Sequence, residues 1–306
     1  MRALVTGAPG FVGTHLVRAL LEDGNEVWAG GHQGQPPGVG TAAARWIDLD
    51  VTDPTSITDA VAVANPDQVY HLAGQSSVAG SFQDPVGTWE VNATGTLRLL
   101  EALPSGTAFV LASSAEVYGN VPEERQPIDE STPLRPGSPY AASKAAAEMA
   151  CISAARVRGI RAVIARSFNH TGPGQDDRFA LPSFARQLAG MRAGGELAVG
   201  NLDARRDLLD VRDVVRAYRF LANQGESGTA YNVCSGHAVA IREALELLLA
   251  EIAHPVSVRV DPDRMRPVDI PLLMGNPARI RSLGWAPAIP LRETLRDLIQ
   301  AQRADD

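Results

Sequence analysis

Apolar residues in the first half of the chain fall in short runs of strand length, separated by longer stretches with helical spacing. RALVTG, NEVWAGG, ARWIDLDV, PDQVYHLAG, TAFVLASS and IRAVIARS read as strands, and segments such as THLVRALLEDG between them carry apolar residues every three to four positions. Strands alternating with amphipathic helices predict parallel strands joined by crossover helices, an α/β fold with a doubly wound sheet. From about residue 167 the pattern loosens into Pro/Gly-rich stretches that read as loops, FNHTGPGQ and LPSFARQLAGMRAGGE among them, then returns to strand at TAYNVCS. The remainder mixes helices, AIREALELLLAEI and LRETLRDLIQ, with PDRMRPVDIP and GNPARIRSLGW. The expected organisation is a sheet domain of residues 1–166 plus about 207–235, and a smaller interleaved domain of about 167–206 and 236–306, with a ligand cleft between them.

Composition narrows the function classes. At 306 residues the chain can bury a large core. A net charge of −7 without long like-sign blocks argues against nucleic acid or an anionic membrane as the main partner, so an anionic ligand needs a locally basic pocket. The two cysteines, Cys151 and Cys234, read as packing residues, and no His/Cys/carboxylate spacing suggests a metal. No apolar run approaches bilayer length and the chain opens directly into RALVTG, so the expectation is a soluble, cytoplasmic protein.

In TGAPGFVGTHLVRALL, Gly7, Gly10 and Gly13 stand between the first strand and the first helix. Glycines there permit a tight turn, close approach of a pyrophosphate and close helix-on-strand packing, while the helix N-terminus supplies donors for the anion. The sheet domain is therefore expected to bind a dinucleotide. A strand that grips the adenosine 2′-hydroxyl usually ends in Asp or Glu; here Gly30, Gly31 and His32 occupy that place, which favours NADP(H) and leaves NAD(H) open. Asp50 and Val51 in DLDVTD either cover the adenine or form a capping turn. YAASK sets Tyr140 and Lys144 four apart on one helix face, where the ammonium is expected to lower the phenol's pKa. VLASSAEVYG places Ser114 and Glu116 at the mouth of a strand, the end where open α/β sheets carry their chemistry.

Taken in order, TGAPGFVG, HLAGQSSV, VNATGTLRLLEA, SSAEVYG and YAASKAAAE resemble the extended short-chain dehydrogenase/reductases of the nucleotide-sugar branch, end to end. Within that branch, SFNHTGPGQ, FALPSFARQLA, RRDLLDVRDVVRAY, YNVCSG and RPVDIPLLMGNPARI most resemble the reductases of GDP-4-keto-6-deoxymannose, which make GDP-D-rhamnose. The resemblance implies a catalytic centre of Ser114, Tyr140 and Lys144. It implies cofactor contacts from the glycine motif with Phe11 and Val12, and from Leu72, Ala73 and Gly74. Substrate contacts are implied for Gln75, Ser76 and Asn169, with Arg206 and Arg266 on the diphosphate, and a homodimer through a four-helix bundle made by helices near residues 86–103 and 139–158.

The resemblance implies reduction of the C4 ketone of a GDP-linked sugar. The nearest alternative is a 4,6-dehydratase, which uses a glutamate two positions after the active hydroxyl, where Glu116 stands. Mannose dehydratases, however, carry threonine in place of Ser114 and read NHESPRRG where this chain reads NHTGPGQ. A 4-epimerase, a reductase forming GDP-6-deoxytalose and a non-catalytic dinucleotide sensor complete the alternatives. Epimerases usually hold NAD with the acid missing here, and sensors typically lose the tyrosine or lysine.

Overall fold

The first apolar run is a strand, β1 (Arg2–Thr6), whose alternate side chains enter two different cores. Ala3 and Val5 pack with Leu16, Val17 and Leu20 of helix Phe11–Glu22 and with Val214, Val215 and Tyr218 of helix Val211–Gln224. Leu4 faces the opposite way, into Val69, Leu99, Leu100, Phe109, Ala147 and Ile164. A strand buried on both faces is mostly apolar, which is why these strands read as near-continuous runs. Each fully buried Leu, Val or Phe contributes about 1.5–3 kcal/mol.

The computed structural model describes residues 1–306 except 33–37, 39, 192, 265–269 and 305–306. In chain order the strands continue as β2 (Glu26–Gly31), β3 (Arg45–Asp48), β4 (Gln68–His71), β5 (Ala108–Ser114), β6 (Arg161–Ser167), β7 (Asn169–Thr171), β8 (Gly195–Val199), β9 (Arg205–Asp210), β10 (Ala230–Val233), β11 (Ala238–Ala240), β12 (Val256–Val260) and β13 (Leu272–Leu273). Seven of them form one parallel sheet in the order β10-β6-β5-β4-β1-β2-β3. Connections run one way from β1 to β2 and the other way to β4, so the sheet has its switch point there, and a crevice opens beyond the carboxyl ends of these strands.

A smaller layer sits over that end. β9 pairs with β7, β11 and β13, while β8 and β12 pair separately. Its own core gathers Leu181, Phe184, Leu188, Leu197, Ile241, Leu245, Leu295 and Leu298. Two segments differ from the loops expected there. FNHTGPGQ contributes β7, and LPSFARQLA is the helix Ala180–Ala189. Pro182 lies in that helix's first turn, where its missing N–H breaks no helical bond, and Leu181, Phe184, Ala185 and Leu188 supply the buried stripe.

Candidate active site

Strand β5 and the helix packed on it deliver the chemistry to the crevice. Ser114 ends β5, and its hydroxyl accepts a hydrogen bond from the Glu116 N–H at 3.2 Å. Facing it, helix Pro139–Val157 begins at Ser138, whose hydroxyl accepts from the Ala141 N–H at 3.1 Å, with Pro139 in the first turn where no N–H is needed. This start sets the Tyr140 phenol against the Ser114 hydroxyl, which favours the ionised phenol. One turn on, Lys144 Nζ donates to the Ala112 carbonyl at 3.0 Å. The structure thus brings Ser114, Glu116, Tyr140 and Lys144 into one cluster. Lys144 is the one lysine among the 28 Lys and Arg residues of the chain.

The electrostatics reverse one expectation. Burial, opposed by the Ser114 hydrogen bond and reinforced by the Glu116 charge, pushes the Tyr140 phenol up to about 12 rather than down. Lys144 does not offset this, because its ammonium is turned to the Ala112 carbonyl. Burial lowers Lys144 to about 8, against the pull of Cys151 and Glu148. At neutral pH the site therefore holds a protonated phenol beside an ammonium.

Asn92, within VNATG, is a further residue of the site that no sequence motif marks. It lies in the π-helical turn Glu90–Thr94, where an extra residue per turn often marks a functional site. Its Oδ1 accepts from the Gln75 N–H at 2.9 Å, and its Nδ2 donates to the Gln75 carbonyl and to the Ser143 hydroxyl, each at 3.0 Å. Behind it, the Thr96 hydroxyl donates to the Asn92 carbonyl at 2.6 Å and so accepts from His71 Nε2–H at 2.9 Å. His71 Nδ1 then accepts from Thr6 at 2.8 Å, and Thr6 accepts from the Ala73 N–H at 3.1 Å. Burial drops His71 to about 3, which keeps it neutral. The chain of bonds fixes the backbone at Ala73–Gln75 beside Lys144. A buried asparagine within a helical apolar run was the available signal, since such a group must be satisfied.

The glycine turn fits a dinucleotide. A Cβ on Gly7, at φ +67°, would lie 2.7 Å from the Ala73 nitrogen and 2.9 Å from the Leu72 carbonyl carbon; one on Gly13 would lie 2.3 Å from the Gly7 oxygen. The turn is therefore pressed against both the end of β4 and the first helix, with room only for glycine. Gly10 opens that helix without a side-chain cap, so the N–H groups of Phe11, Val12 and Gly13 are the donors a phosphate would meet. A Cβ on Gly74 would lie 3.2 Å from Lys144 Nζ, so the exposed Gly74 keeps the approach to that ammonium open. At the far end, His32 Nε2 lies 3.4 Å from Asp50 Oδ2. Asp50 also accepts from the N–H and hydroxyl of Thr52, bonds that hold its carboxyl below the usual range, so it is part of a turn as well as a neighbour of His32. Val51 packs its carbonyl against Gly95, where a Cβ would come within 2.9 Å.

On the substrate side, a cavity of about 370 Å³ opens at β7, two residues beyond Ser167, the β6 partner of Ser114. Asn169 and Arg206 both line it, together with Arg178 and Arg264, which the sequence reading did not single out. Arg206 is anchored by Nη1 to the Ile270 carbonyl at 2.6 Å. Arg266 lies outside the described residues. The Gln75 amide is spent on the Ser77 backbone, accepting from its N–H at 2.7 Å and donating to its carbonyl at 2.9 Å, and Ser76 is exposed. His170, one residue past Asn169, stacks on Phe11 of the glycine motif with ring centroids 6.2 Å apart, and His15 bonds the Pro173 carbonyl at 2.8 Å. These contacts join the dinucleotide cradle to the wall of the cavity. Among the described residues no group of three His, Cys, Asp or Glu could hold a metal ion, and no helix is long and apolar enough to cross a membrane.

A glycine-cradled parallel sheet with a Ser/Tyr/Lys cluster at its carboxyl edge is the architecture of a short-chain dehydrogenase/reductase. The chain belongs to the GDP-mannose 4,6 dehydratase family, whose model it matches over residues 4–298. It is 42% identical to the GDP-6-deoxy-D-mannose reductase of Pseudomonas aeruginosa, over 97% of this chain and 96% of that protein. Identity to a GDP-mannose 4,6-dehydratase of Vibrio cholerae is 32%, over 99% and 95%. Its fold superposes on the structure of RMD from Pseudomonas aeruginosa complexed with NADPH with a TM-score of 0.86, at 37% identity and full coverage of both chains.

Proposed function

We propose that this protein is a nucleotide-sugar 4-ketoreductase that reduces GDP-4-dehydro-6-deoxy-D-mannose to GDP-D-rhamnose, preferring NADPH and able to accept NADH. The observation that carries this reading is the placement of Tyr140 against Ser114 at the carboxyl end of β5 with Lys144 one turn on, because a buried phenol that keeps its proton there is a proton donor. The higher identity to a reductase than to a dehydratase supports the same direction of chemistry. The cofactor, when bound, supplies hydride to C4. Tyr140 gives its proton to the oxygen that becomes an alkoxide, and Ser114 hydrogen-bonds that oxygen. Lys144, beside Gly74, would hold the cofactor's ribose. Gly7, Gly10, Gly13, Phe11, Val12, Leu72, Ala73 and Gly74 hold the dinucleotide, with His32, Asp50 and Val51 at the adenosine. The preference for the 2′-phosphate rests on Gly30 and Gly31 standing where an acid would repel it. In this division residues 1–166 and about 207–235 serve the cofactor, and the rest serve the sugar nucleotide.

Asn169, Arg206 and Arg266 are assigned to the sugar nucleotide, with Gln75 and Ser76 near the sugar; Gln75 acts through the backbone that Asn92 holds. Arg206→Ala is expected to raise the Michaelis constant for the keto sugar roughly tenfold through loss of a charge-assisted bond, and that for NADPH much less. Steady-state kinetics varying each substrate in turn checks this.

Glu116 sustains the dehydratase as a second reading, because its charge faces Tyr140 from two residues beyond Ser114. Ketone reduction has no C5 proton to remove. Glu116→Gln is therefore expected to lower NADPH oxidation with the keto sugar by no more than about tenfold. A loss on the order of a thousandfold would return proton abstraction, and the dehydratase, to first place.

The same resemblance suggests a homodimer. Phe82, Val86, Trp89, Leu97 and Met149 are exposed on helices Val78–Gln83, Pro85–Trp89, Gly95–Ala102 and Pro139–Val157, an apolar face of the kind that two copies bury in a four-helix bundle. Trp89→Glu is expected to shift the protein from dimer to monomer in sedimentation equilibrium. The cytoplasm, where reduced nicotinamide nucleotides and sugar nucleotides coexist, is the proposed location.

A further inference from the structure

Three consecutive residues of β5 each meet one of three residues spaced by four on helix Pro139–Val157. Ser114 faces Tyr140, the Ala112 carbonyl accepts from Lys144, and the Ser113 hydroxyl donates to Glu148 Oε1 at 2.5 Å. The chemistry proposed above uses the first two rungs and leaves the third without a role.

That third rung is held from two sides. Glu148 is fully buried, and Arg166, the cross-strand partner of Ser113 on β6, grips it with Nε at 3.0 and 3.1 Å from the two carboxylate oxygens and Nη2 at 2.6 Å. Arg166 Nη1 in turn donates to the Tyr118 hydroxyl at 3.0 Å, which donates to Asn232 Oδ1 at 2.7 Å. The carboxylate is thus pinned in position and surrounded by donors. We propose that Glu148 is a positioning residue for ketone reduction: it locks the helix in the register that sets Tyr140 on Ser114, and it keeps the Lys144 ammonium charged in its buried site. The first half of this rests on the reductase reading given above.

The register argument is geometric. Residues four apart stand on one helix face about 6 Å apart along the axis, so rotating the helix by one residue, about 100°, removes all three rungs together. The charge argument follows from what faces Lys144. Glu148 and Cys151 act on it from its own helix and His71 from β4. Burial raises the Cys151 thiol and lowers His71, so both are neutral near pH 7, which leaves Glu148, one turn along the helix and gripped by Arg166, as the side chain that favours the charged ammonium.

The chain's single lysine makes the test direct, because protein labelled with 13Cε-lysine gives one lysine signal, that of Lys144. In the full-length protein its titration midpoint is expected near the value of about 8 set by burial. In Glu148→Gln the midpoint is expected to fall by about one pH unit, as on losing a nearby opposite charge. The kcat for the keto sugar with NADPH should fall about tenfold or more, with its Michaelis constant changed by less than about threefold. Because Gln leaves Arg166 without a counter-charge, the double variant Glu148→Leu with Arg166→Met, apolar on both sides, provides a second folded protein, checked by thermal melting. A purely structural role predicts that the double variant recovers wild-type kcat and midpoint, whereas the positioning role predicts that both stay low. An unchanged lysine midpoint or an unchanged kcat in either folded variant overturns the proposal. Failure of the wild-type protein to oxidise NADPH with the keto sugar would instead overturn the reductase reading, and the lysine titration would still decide the role of Glu148.

Discussion

Replacing Tyr140 by Phe is expected to lower kcat for NADPH oxidation with the keto sugar by about 10²- to 10⁴-fold, the range for removal of a positioned general acid. The ring is buried and stays so in the variant; only the hydroxyl that meets Ser114 is lost. Folding and NADPH binding should therefore survive, and the Michaelis constants should change little. The wild-type pH profile carries a second signature. With the phenol near 12 and the ammonium near 8, the protein binds fewer protons at Lys144 as pH rises through about 8, so activity that needs the charged lysine should fall there rather than at the tyrosine. Stopped-flow or steady-state absorbance of NADPH across pH values tests both points. Turnover by Tyr140→Phe within a few-fold of wild type would remove the residue from the chemistry.

Gly13→Ala is expected to weaken NADPH binding by about a hundredfold, the equivalent of about 2.8 kcal/mol. The added Cβ would meet the Gly7 oxygen at 2.3 Å, the Ala8 oxygen at 2.7 Å and the Ala8 Cα at 2.8 Å, all of them backbone atoms that no side-chain rotation relieves. The first helix must back away from β1, carrying with it the N–H groups that would face the pyrophosphate. Gly137→Ala serves as the control, since nothing lies within 4 Å of its Cβ position. Fluorescence titration with NADPH should separate the two variants; equal affinities would place the phosphate elsewhere.

The parallel sheet was legible because a strand buried on both faces is mostly apolar, and β1, β2, β5 and β6 read as apolar runs with few polar interruptions. The crossover helices followed from their spacing. Helix Ala180–Ala189 was hidden by Pro182 and the glycines after it, although its Leu181, Phe184, Ala185 and Leu188 carry the helical period; proline excludes helix only beyond the first turn. Around the site, the residues that reach the crevice stand in short motifs and could be named. Those that hold them in place could not be recognised so readily. Asn92, Glu148 and Arg166 lie in helical or strand runs, and their importance comes from burial and from partners distant in sequence. A charge that is buried must be paired, so Arg166 within IRAVIARS and Glu148 within AAAEMA were the traces left in the sequence. The phenol's elevated pKa was misjudged for a similar reason: spacing sets Tyr140 beside Lys144, but depth of burial decides which effect wins.

Incubation of the purified protein with GDP-4-dehydro-6-deoxy-D-mannose and NADPH, with the nucleotide followed by absorbance and the product by NMR, tests the central claim most directly. The reductase reading predicts one NADPH oxidised for each keto sugar consumed, and a single product with the proton coupling constants of GDP-D-rhamnose. No net NADPH oxidation with the keto sugar, together with conversion of GDP-mannose to the 4-keto sugar in a parallel reaction without added NADPH, would contradict it and identify a dehydratase.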